Sequence, residues 1–431
     1  SFIVMSAFDQ DWLGNGTGSM YNGSFGDKVG IGTTTPEFAL TIQRSGTHND
    51  GGIMAKGTYN AGATLTTTGV GTRMFWYPRK AAFRAGYTVN NNWDHDSIGG
   101  YSTAFGYSTK AKGGYSTAIG YGSSATGLTS YSSGTNTIAS GNYSRAHGFY
   151  SSAKGLHSIV YGYYSSAVGG YSQVFGHNDT VTGYVSTAIG SNNDVSGDYA
   201  YVIGRSNQVT GNNGTTVGYN NTNSALSGFA SGYSNVLVGN YSTVGGATNY
   251  VSGVYATAFG YLDSATGNYA VSLGYRNKSS GSSSTSTGLF NEVSGVASFV
   301  TGYQNKVEGD YAVAMGRNSQ STADYAIAAG YNNTVTGSYG VAMGSYSKAV
   351  GSNSIALGYG DSATGNSSLA IGYLLKSTNL SSVAIGRQSV SSGDRATAIG
   401  LIDTAEGYGS LAIGSYSKTT GTFSTAVGSR A

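Results

Sequence analysis

Apolar and polar positions recur along residues 100–421 with a period of 14 and no insertion or deletion. The first units read GYSTAFGYSTKAKG and GYSTAIGYGSSATG; 322 residues in steps of 14 give 23 full units, followed by the remnant TFSTAVGSRA. We number the positions of each unit as places 1 to 14. Glycine occupies place 7 throughout, and place 14 in every full unit except those with Ala225, Ala323 or Asn379. A short, strict period is the signature of a solenoid.

Half a unit, seven residues, is too short for a helix and its turn, but it fits a strand of about five residues and a tight corner. Two such halves make one coil, and Gly106, Gly260 and Gly386 at place 7 are predicted to be corner residues that supply positive φ. The array contains no proline, as a fully paired sheet requires. The pattern predicts an all-β, parallel solenoid roughly 110 Å long at a strand spacing of ~4.8 Å.

Small residues mark the side of the coil that is predicted to face inward. Place 3 is mostly Ser, Ala or Gly, place 5 is Ala, Val, Ser or Thr, and place 12 is usually Ala, Val or Ser. Lys278 at place 11 and Lys112 at place 13 flank place 12 and are predicted to lie in water. Place 10 is almost always Asn, Asp, Ser or Thr, and stacked Asn side chains are expected to form a ladder along the rod.

Larger apolar side chains occupy places 4 and 6, as in Leu369 and Ile371. If places 3, 5 and 12 fill a thin interior, places 4 and 6 form an outward apolar stripe, which predicts an interaction surface closed by several rolls about one axis. The alternative register puts places 4 and 6 inside. We favour the first, since place 4 also holds Phe299 and Arg145. Arg145 and His147, in one unit, predict a wet or anion-holding layer at the axis or, alternatively, a pH-sensitive element.

Units in the C-terminal part of the array carry a specific resemblance. SNSIALGYGDSATG (352–365) and LSSVAIGRQSVSSG (380–393) resemble the head repeats of trimeric autotransporter adhesins, the YadA-like head, whose motif is close to N-S-V-A-I-G-x-x-S. Residues 382–386 and Ser389 match that motif place for place. The resemblance covers residues 100–431. It implies a left-handed parallel β-roll with three chains to a head.

A second resemblance lies in residues 1–50, which we predict to be an N-terminal fibre segment. The stretch GDKVGIGTTTP, from Gly26, with the following residues to Ile42, resembles a short segment of phage tail fibres and of large secreted bacterial surface proteins. There it is a strand–turn–strand piece of a trimeric fibre. The stretch lacks the G-K-[ST] ending and the following helix of a phosphate-binding loop, so we predict no nucleotide site.

Residues 51–99 are predicted to connect this segment to the array and to cap its first coil. Bulky aromatic and charged residues are concentrated in RMFWYPRKAAFR (73–84) and WDHD (93–96). The sequence Asp94-His95-Asp96 raises the alternative of acid/base groups or metal ligands. We favour a cap, because the first coil of a solenoid exposes an open sheet edge and an open core. The residues predicted to form it are Trp76, Arg79, Trp93 and Asp94.

Tyrosine is the other repeated side chain, with 36 in the chain, eleven of them at place 2 and eleven at place 8. Both sets form columns with one step per coil. One interpretation is an aromatic ladder that packs the sheet surface. The other is a face for glycans or protein ligands, since tyrosine offers rigid area with a polar tip. The candidate ligand-binding residues are Tyr101, Tyr107, Tyr115, Tyr121, Tyr261, Tyr269, Tyr325 and Tyr373.

Composition and charge argue against several classes of function. A net charge of +3 without a basic run is too small to imply a nucleic-acid partner, and we predict none. There are no cysteines, and no stretch is long and apolar enough to span a membrane. We predict no catalytic residues, metal or cofactor, and no enzyme.

The predicted function is that of an extracellular, homotrimeric fibrous adhesin or receptor-binding fibre, on a bacterial surface or a phage virion. It would attach multivalently to a cell-surface receptor, a glycan or a matrix protein. The alternatives are a structural spacer or tail fibre without its own ligand and a tailspike-like glycan depolymerase, which requires paired carboxylates at one level of the rod.

Overall fold

The computed structural model describes residues 20–22, 29–31, 38, 40–42 and 53–431. The chain divides into one compact unit that ends at Ala63 and a second unit, Thr64–Ala431. In the first unit, β1 (Met20–Asn22) pairs antiparallel with β2 (Val29–Ile31), and β2 pairs in parallel with β3 (Leu40–Ile42). The fibre-like segment 26–42 therefore contains two paired strands, while residues 32–37 between them lie outside the described residues. The predicted boundaries at residues 50 and 99 stay a prediction.

Each 14-residue unit of the array forms one coil with two strands. A long strand occupies places 4–8, from Thr103–Tyr107 to Thr425–Ser429, and a short strand occupies places 11–12, from Lys110–Ala111 to Lys418–Thr419. Each strand pairs in parallel with its equivalents in the neighbouring coils, 14 residues away. The predicted parallel β-solenoid is confirmed.

The two halves of a coil are unequal. The long strand has five residues and the short strand two, so the expectation of a strand of about five residues in each half is wrong for the second half. Places 2 and 9 adopt left-handed backbone angles, as in Tyr101 (φ 57°) and Ser108 (φ 51°). The left-handed residue at place 9 and the inward side chain at place 10 interrupt the extended backbone there.

The glycines at place 7 lie inside the long strand, one residue before its end, and the turns are made by places 14 to 2 and place 9. Their φ is positive, 113° at Gly106, 141° at Gly260 and 116° at Gly386, a region that L-residues rarely adopt. A Cβ atom added at Gly260 would lie 1.9 Å from the carbonyl oxygen of Gly274 in the next coil. Place 7 therefore requires glycine for its backbone angle and for the close approach, not as a corner.

The interior of the coil is thin and holds places 3, 5, 10 and 12. Ala104 and Ala111 are fully buried in the first coil, as are Val202 and Val209 farther along. Lys278 and Lys112 are exposed. The favoured register, with the small residues inside and places 4 and 6 outside, is confirmed.

Side chains at place 10 form the predicted ladder inside the coil. The Oδ1 atom of Asn207 accepts from the backbone N–H of Asn221 at 3.0 Å and from its side-chain Nδ2 at 3.1 Å. The Nδ2 atom of Asn207 also donates to the carbonyl of Gly218, at place 7 of the next coil, at 2.8 Å. Serine can replace Asn, since Ser151 Oγ donates to the carbonyl of Gly162 at 2.6 Å. Places 7 and 10 are thus two halves of one repeated contact between coils.

A hairpin extends the long sheet before the first coil. β4 (Gly71–Tyr77) and β5 (Ala82–Thr88) pair antiparallel, and β5 pairs in parallel with the first long strand. Three short 3-10 helices complete this region, Pro78–Lys80 between the strands and Asn91–Trp93 and His95–Ser97 after them. Gly86 pairs with Gly106 at place 7, so β5 occupies the position of a long strand one coil below the array.

Candidate assembly and attachment surfaces

An apolar stripe runs along the outer face of the long strands. Phe259, Leu273 and Met315 at place 6 are 42%, 36% and 37% exposed, while Ala258 beside Phe259 is fully buried. The sheet register pairs Phe259 with Leu273, so the stripe continues from one coil to the next. An exposed apolar surface of this extent is typical of an interface.

Neutral polar residues such as Ser133 and Thr287 also occur at place 6, but one coil brings a charged and a titratable side chain into the stripe. Arg145 and His147 are both exposed on the outer face. The Nδ1 atom of His147 lies 2.6 Å from Ser133 Oγ one coil earlier, and its ring is tilted against that of Tyr161 one coil later, with ring centroids 5.6 Å apart. The predicted wet layer at the axis stays a prediction, and its polar groups point outward as it requires.

Tyrosines at place 2 stack ring on ring along the rod. The centroids of Tyr101 and Tyr115 are 4.8 Å apart, with 8° between the ring planes. Tyr325 stacks on Tyr311 at 5.1 Å and on Tyr339 at 4.7 Å. Each has a left-handed φ, which costs roughly 1–2 kcal/mol in an L-residue. Backbone hydrogen bonds between coils hold this strained place, and the stack adds to them.

A second set of columns forms at place 8, where the long strand ends. Tyr107 and Tyr121 stack at 4.6 Å with 3° between their planes, and Tyr359 and Tyr373 at 5.2 Å and 11°. Arginine can enter these columns, since the guanidinium of Arg317 lies 5.4 Å from the ring centroid of Tyr303 and 5.7 Å from that of Tyr331. Such cation–π contacts contribute about 0.5–1 kcal/mol at exposed sites.

The structure places every predicted tyrosine in such a column. Tyr261 stacks with Tyr275, and Tyr269 with Tyr255. Within a run of tyrosines, a neighbour covers both faces of a middle ring such as Tyr255, whereas an end ring such as Tyr269, followed by Ser283 in the next coil, stacks on one face only. A ligand alongside the middle of a run would therefore meet hydroxyls and ring edges, and a ligand at its end can also meet a ring face. The sequence predicted the columns but did not indicate which part of the ring is accessible.

Trp93 is the predicted cap residue that the structure buries most deeply. It is fully buried, and its Nε1–H donates to the carbonyl of Thr109 in the first coil at 2.8 Å. Phe75 of β4 packs edge-on against it, with ring centroids 6.4 Å apart. Trp76 lies on the other face of β4 and is 42% exposed. The two tryptophans of the sequence motif therefore have different environments.

Asp94 and Arg79, the other predicted cap residues, lie at the edge of this region. The Oδ1 atom of Asp94 accepts from the backbone N–H of Gly69 at 3.0 Å, and Arg79 is half-buried in the hairpin turn. Asp94 thus ties the chain before β4 to the residues that lead into the first coil. The role of these four residues as a cap stays a prediction.

Arg84 is an interior residue that the sequence analysis missed. It pairs with Ala104 at place 5 and is fully buried. Its Nη1 donates to the Ser102 carbonyl at 2.9 Å, and its Nη2 donates to Ser102 Oγ at 2.8 Å and to the Ala111 carbonyl at 3.0 Å. Burial lowers its pKa to about 10. The only signal in the sequence was its place in the motif 73–84, since the register of β5 could not be read there.

The Asp94-His95-Asp96 sequence does not converge on one point. His95 Nδ1 lies 2.8 Å from the Tyr77 hydroxyl, Asp94 bonds Gly69, and Asp96 is exposed. Lys80 donates to the carbonyl of Ile98 at 2.8 Å, and burial lowers the pKa of Lys80 more than Asp96 raises it. Within the described residues, no group of three or more His, Asp or Glu side chains is arranged to hold a metal ion.

Comparison with protein families gives one match. The model of the YadA head domain repeat matches nine segments of the array, residues 97–123, 265–290, 294–319, 308–333, 321–347, 336–360, 349–374, 377–401 and 405–431. The search of curated proteins returned no match. In the part of the chain that the structure describes, no helix has the length and apolar character needed to cross a membrane.

Proposed function

We propose, from the YadA head domain repeats matched at residues 97–123 and in eight segments between residues 265 and 431, that the chain is an extracellular fibrous adhesin that works as a homotrimer. The head family consists of surface adhesins without enzymatic activity. The left-handed sense of the roll and the number of three chains are what membership of that family implies. The function we propose is multivalent attachment.

The observation that carries this proposal is the outward apolar stripe at places 4 and 6. Along a single roll it leaves side chains such as Phe259 and Leu273 more than a third exposed in successive coils. Burial of one large apolar side chain contributes at most ~1.5–3 kcal/mol, and the gain is repeated in each coil that has such a side chain at place 4 or 6. Three rolls around one axis would remove the whole stripe from water.

The partners we propose are a cell-surface receptor, a glycan or a matrix protein. The tyrosine columns offer the contact surface, with hydroxyl groups and ring edges repeated in each coil that has tyrosine at place 2 or place 8. Repetition along three chains turns weak contacts into high avidity, with gains of about 10²–10⁴ over a single contact. The fibre-like segment 26–42 supports a phage virion as the alternative carrier to a bacterial surface.

Two measurements test this proposal, one of oligomeric state and one of binding. Light scattering at micromolar concentration should give three times the chain mass of 44.0 kDa, and the chain should bind at least one member of a panel of immobilised cells, matrix proteins and glycans. The double variant Phe259→Glu/Leu273→Glu should weaken assembly and lower the apparent affinity at least 10²-fold. The matched control, Gln208→Glu/Gln320→Glu, adds the same charges at exposed place 11 and should change neither.

The outcomes separate the alternatives. A monodisperse monomer would contradict the trimer and its stripe. A trimer that binds no member of the panel would favour a structural spacer or tail fibre. Shortening of the glycans on contact would favour a depolymerase and overturn the assignment as a non-enzyme.

A further inference from the structure

One column at place 2 brings three phenols into an arrangement that favours reaction between them. The ring centroids of Tyr311 and Tyr325 are 5.1 Å apart, and those of Tyr325 and Tyr339 are 4.7 Å apart. The angles between successive ring planes are 6° and 1°. The three residues are 55%, 46% and 57% exposed, so an oxidant in solution has access to their phenol groups.

The backbone keeps these rings in register. The N–H of Tyr325 donates to the carbonyl of Asp310 at 2.8 Å, and that of Tyr339 donates to Asp324 at 3.0 Å. Left-handed φ values of 54° to 59° fix the direction of all three side chains. Groups held together in this way react as if at a very high local concentration.

We propose that Tyr325 is an oxidative cross-linking site that forms a dityrosine bridge to Tyr311 or Tyr339, one coil away, under a haem peroxidase and hydrogen peroxide. Each of two phenols loses one electron and one proton to become a phenoxyl radical. The radicals join through a carbon–carbon bond between ring positions ortho to the oxygens. The two ortho hydrogens then move to the oxygens, which restores both phenols, and hydrogen peroxide takes up two electrons and two protons to become water.

The composition of the chain favours this reaction. The sequence has no cysteine, the side chain that would compete most strongly for the oxidant, and 36 tyrosines. A disulfide is therefore not available to this fibre, and a bridge between stacked phenols would join successive coils covalently instead. The bridge leaves the backbone hydrogen bonds of place 2 in position, because it connects residues that already touch.

The test exposes the assembled full chain to peroxidase and hydrogen peroxide and then digests it with trypsin. Cleavage after Lys306, Arg317 and Lys348 separates Tyr311, in residues 307–317, from Tyr325, in residues 318–348. We expect a bridged pair of these two peptides that is lighter by two hydrogens, or the same loss within 318–348 at Tyr325 and Tyr339. On a denaturing gel the chain should still migrate as a single chain.

Two variants complete the test. Tyr325→Phe keeps an aromatic ring in the column but leaves Tyr311 and Tyr339 two coils apart, roughly 10 Å, so both products at this column should disappear. Tyr331→Phe lies in the same peptide at place 8 and should leave them unchanged. The proposal is wrong if no bridge forms, if Tyr325→Phe retains it, or if the bridges join different chains on the gel.

Discussion

Asn193 donates two hydrogen bonds to one carboxylate oxygen of Asp179, one coil earlier, and the second oxygen is left unmatched. The backbone N–H and the Nδ2 of Asn193 lie 2.8 Å and 2.9 Å from Asp179 Oδ1. Asp179 Oδ2 is buried and has no hydrogen-bond partner among the described residues. Asn and Ser at place 10 donate to the glycine carbonyl of the next coil, which an ionised carboxylate cannot do.

Asp179→Asn is therefore expected to stabilise the fibre at neutral pH. Burial raises the pKa of Asp179, although the bonds from Asn193 and the charge of His177 oppose the rise. With the folded pKa above the unfolded value of about 3.9, stability falls as pH rises from there through the folded pKa. The variant avoids this loss of stability and supplies a donor for the glycine carbonyl of the next coil. Its free energy of unfolding should therefore be higher by about 1 kcal/mol at pH 7.

Thermal unfolding at several pH values checks this prediction. The gain should vanish below about pH 3.9, where the protonated carboxyl of Asp179 can itself donate. Asp194→Asn, an exposed aspartate at place 11, is the matched control and should have little effect at any pH. A gain at Asp179 that does not depend on pH would contradict the explanation.

Gly260→Val should disrupt the array locally. Backbone strain at φ 141° alone costs about 1–3 kcal/mol per chain, and the Cβ atom would collide with the carbonyl of Gly274. Lys278→Val, in the next coil, removes only an exposed ion pair with Glu292, worth about 0–1 kcal/mol. Limited proteolysis should cut the first variant near residue 260 and spare the second. Equal resistance would mean that place 7 tolerates a side chain.

Val185→Asn is expected to stabilise the chain. Val185 is a β-branched residue with φ 54° at place 2, a conformation that Asn adopts much more readily. The side chain is 40% exposed, so little apolar burial is lost, and relief of the strain should contribute about 1 kcal/mol. A higher melting temperature would agree with this account. The control is Val236→Asn, at place 11 of a short strand, which should not raise the melting temperature.

Trp93→Ala should loosen the first coil, whereas Trp76→Ala should have a small effect. Loss of a fully buried tryptophan costs about 3–5 kcal/mol, and the bond to the carbonyl of Thr109 is lost with it. Hydrogen exchange of the strand Thr103–Tyr107 measures the local opening. Faster exchange there in the Trp76 variant than in the Trp93 variant would reverse the assignment of the two side chains.

The repeated part of the fold was predictable from the sequence because each place is sampled more than twenty times. A single alanine such as Ala104 indicates little, but Ala, Val, Ser or Thr at place 5 in coil after coil indicates a narrow interior. The tyrosine columns followed from the same repetition. The unequal strands did not, since place 9 holds residues as different as Asn136, Leu262 and Arg276, and its partial preference for Asn and Gly does not by itself indicate a two-residue strand.

The region before the array was less predictable, because it occurs once. The sequence named Trp93 and Trp76 together, and only the structure, in which Trp93 is fully buried and Trp76 is exposed, shows that their environments differ. Arg84 was missed for the same reason: a buried arginine that spans the interior depends on carbonyl groups of Ser102 and Ala111 that are distant in sequence.

The uninterrupted register of the array limits how the length of such a fibre can vary. A single residue inserted in a long strand before place 7 would turn the side chains that follow it in that strand to the opposite face and move the place 7 glycine of that coil away from its partners in the adjacent coils. Removal of a whole coil would instead bring together two coils whose strands pair in the usual register, place 7 with place 7, as Gly260 pairs with Gly274. Length can therefore change by duplication or loss of complete units, so that reach can be adjusted while every cross-section stays the same.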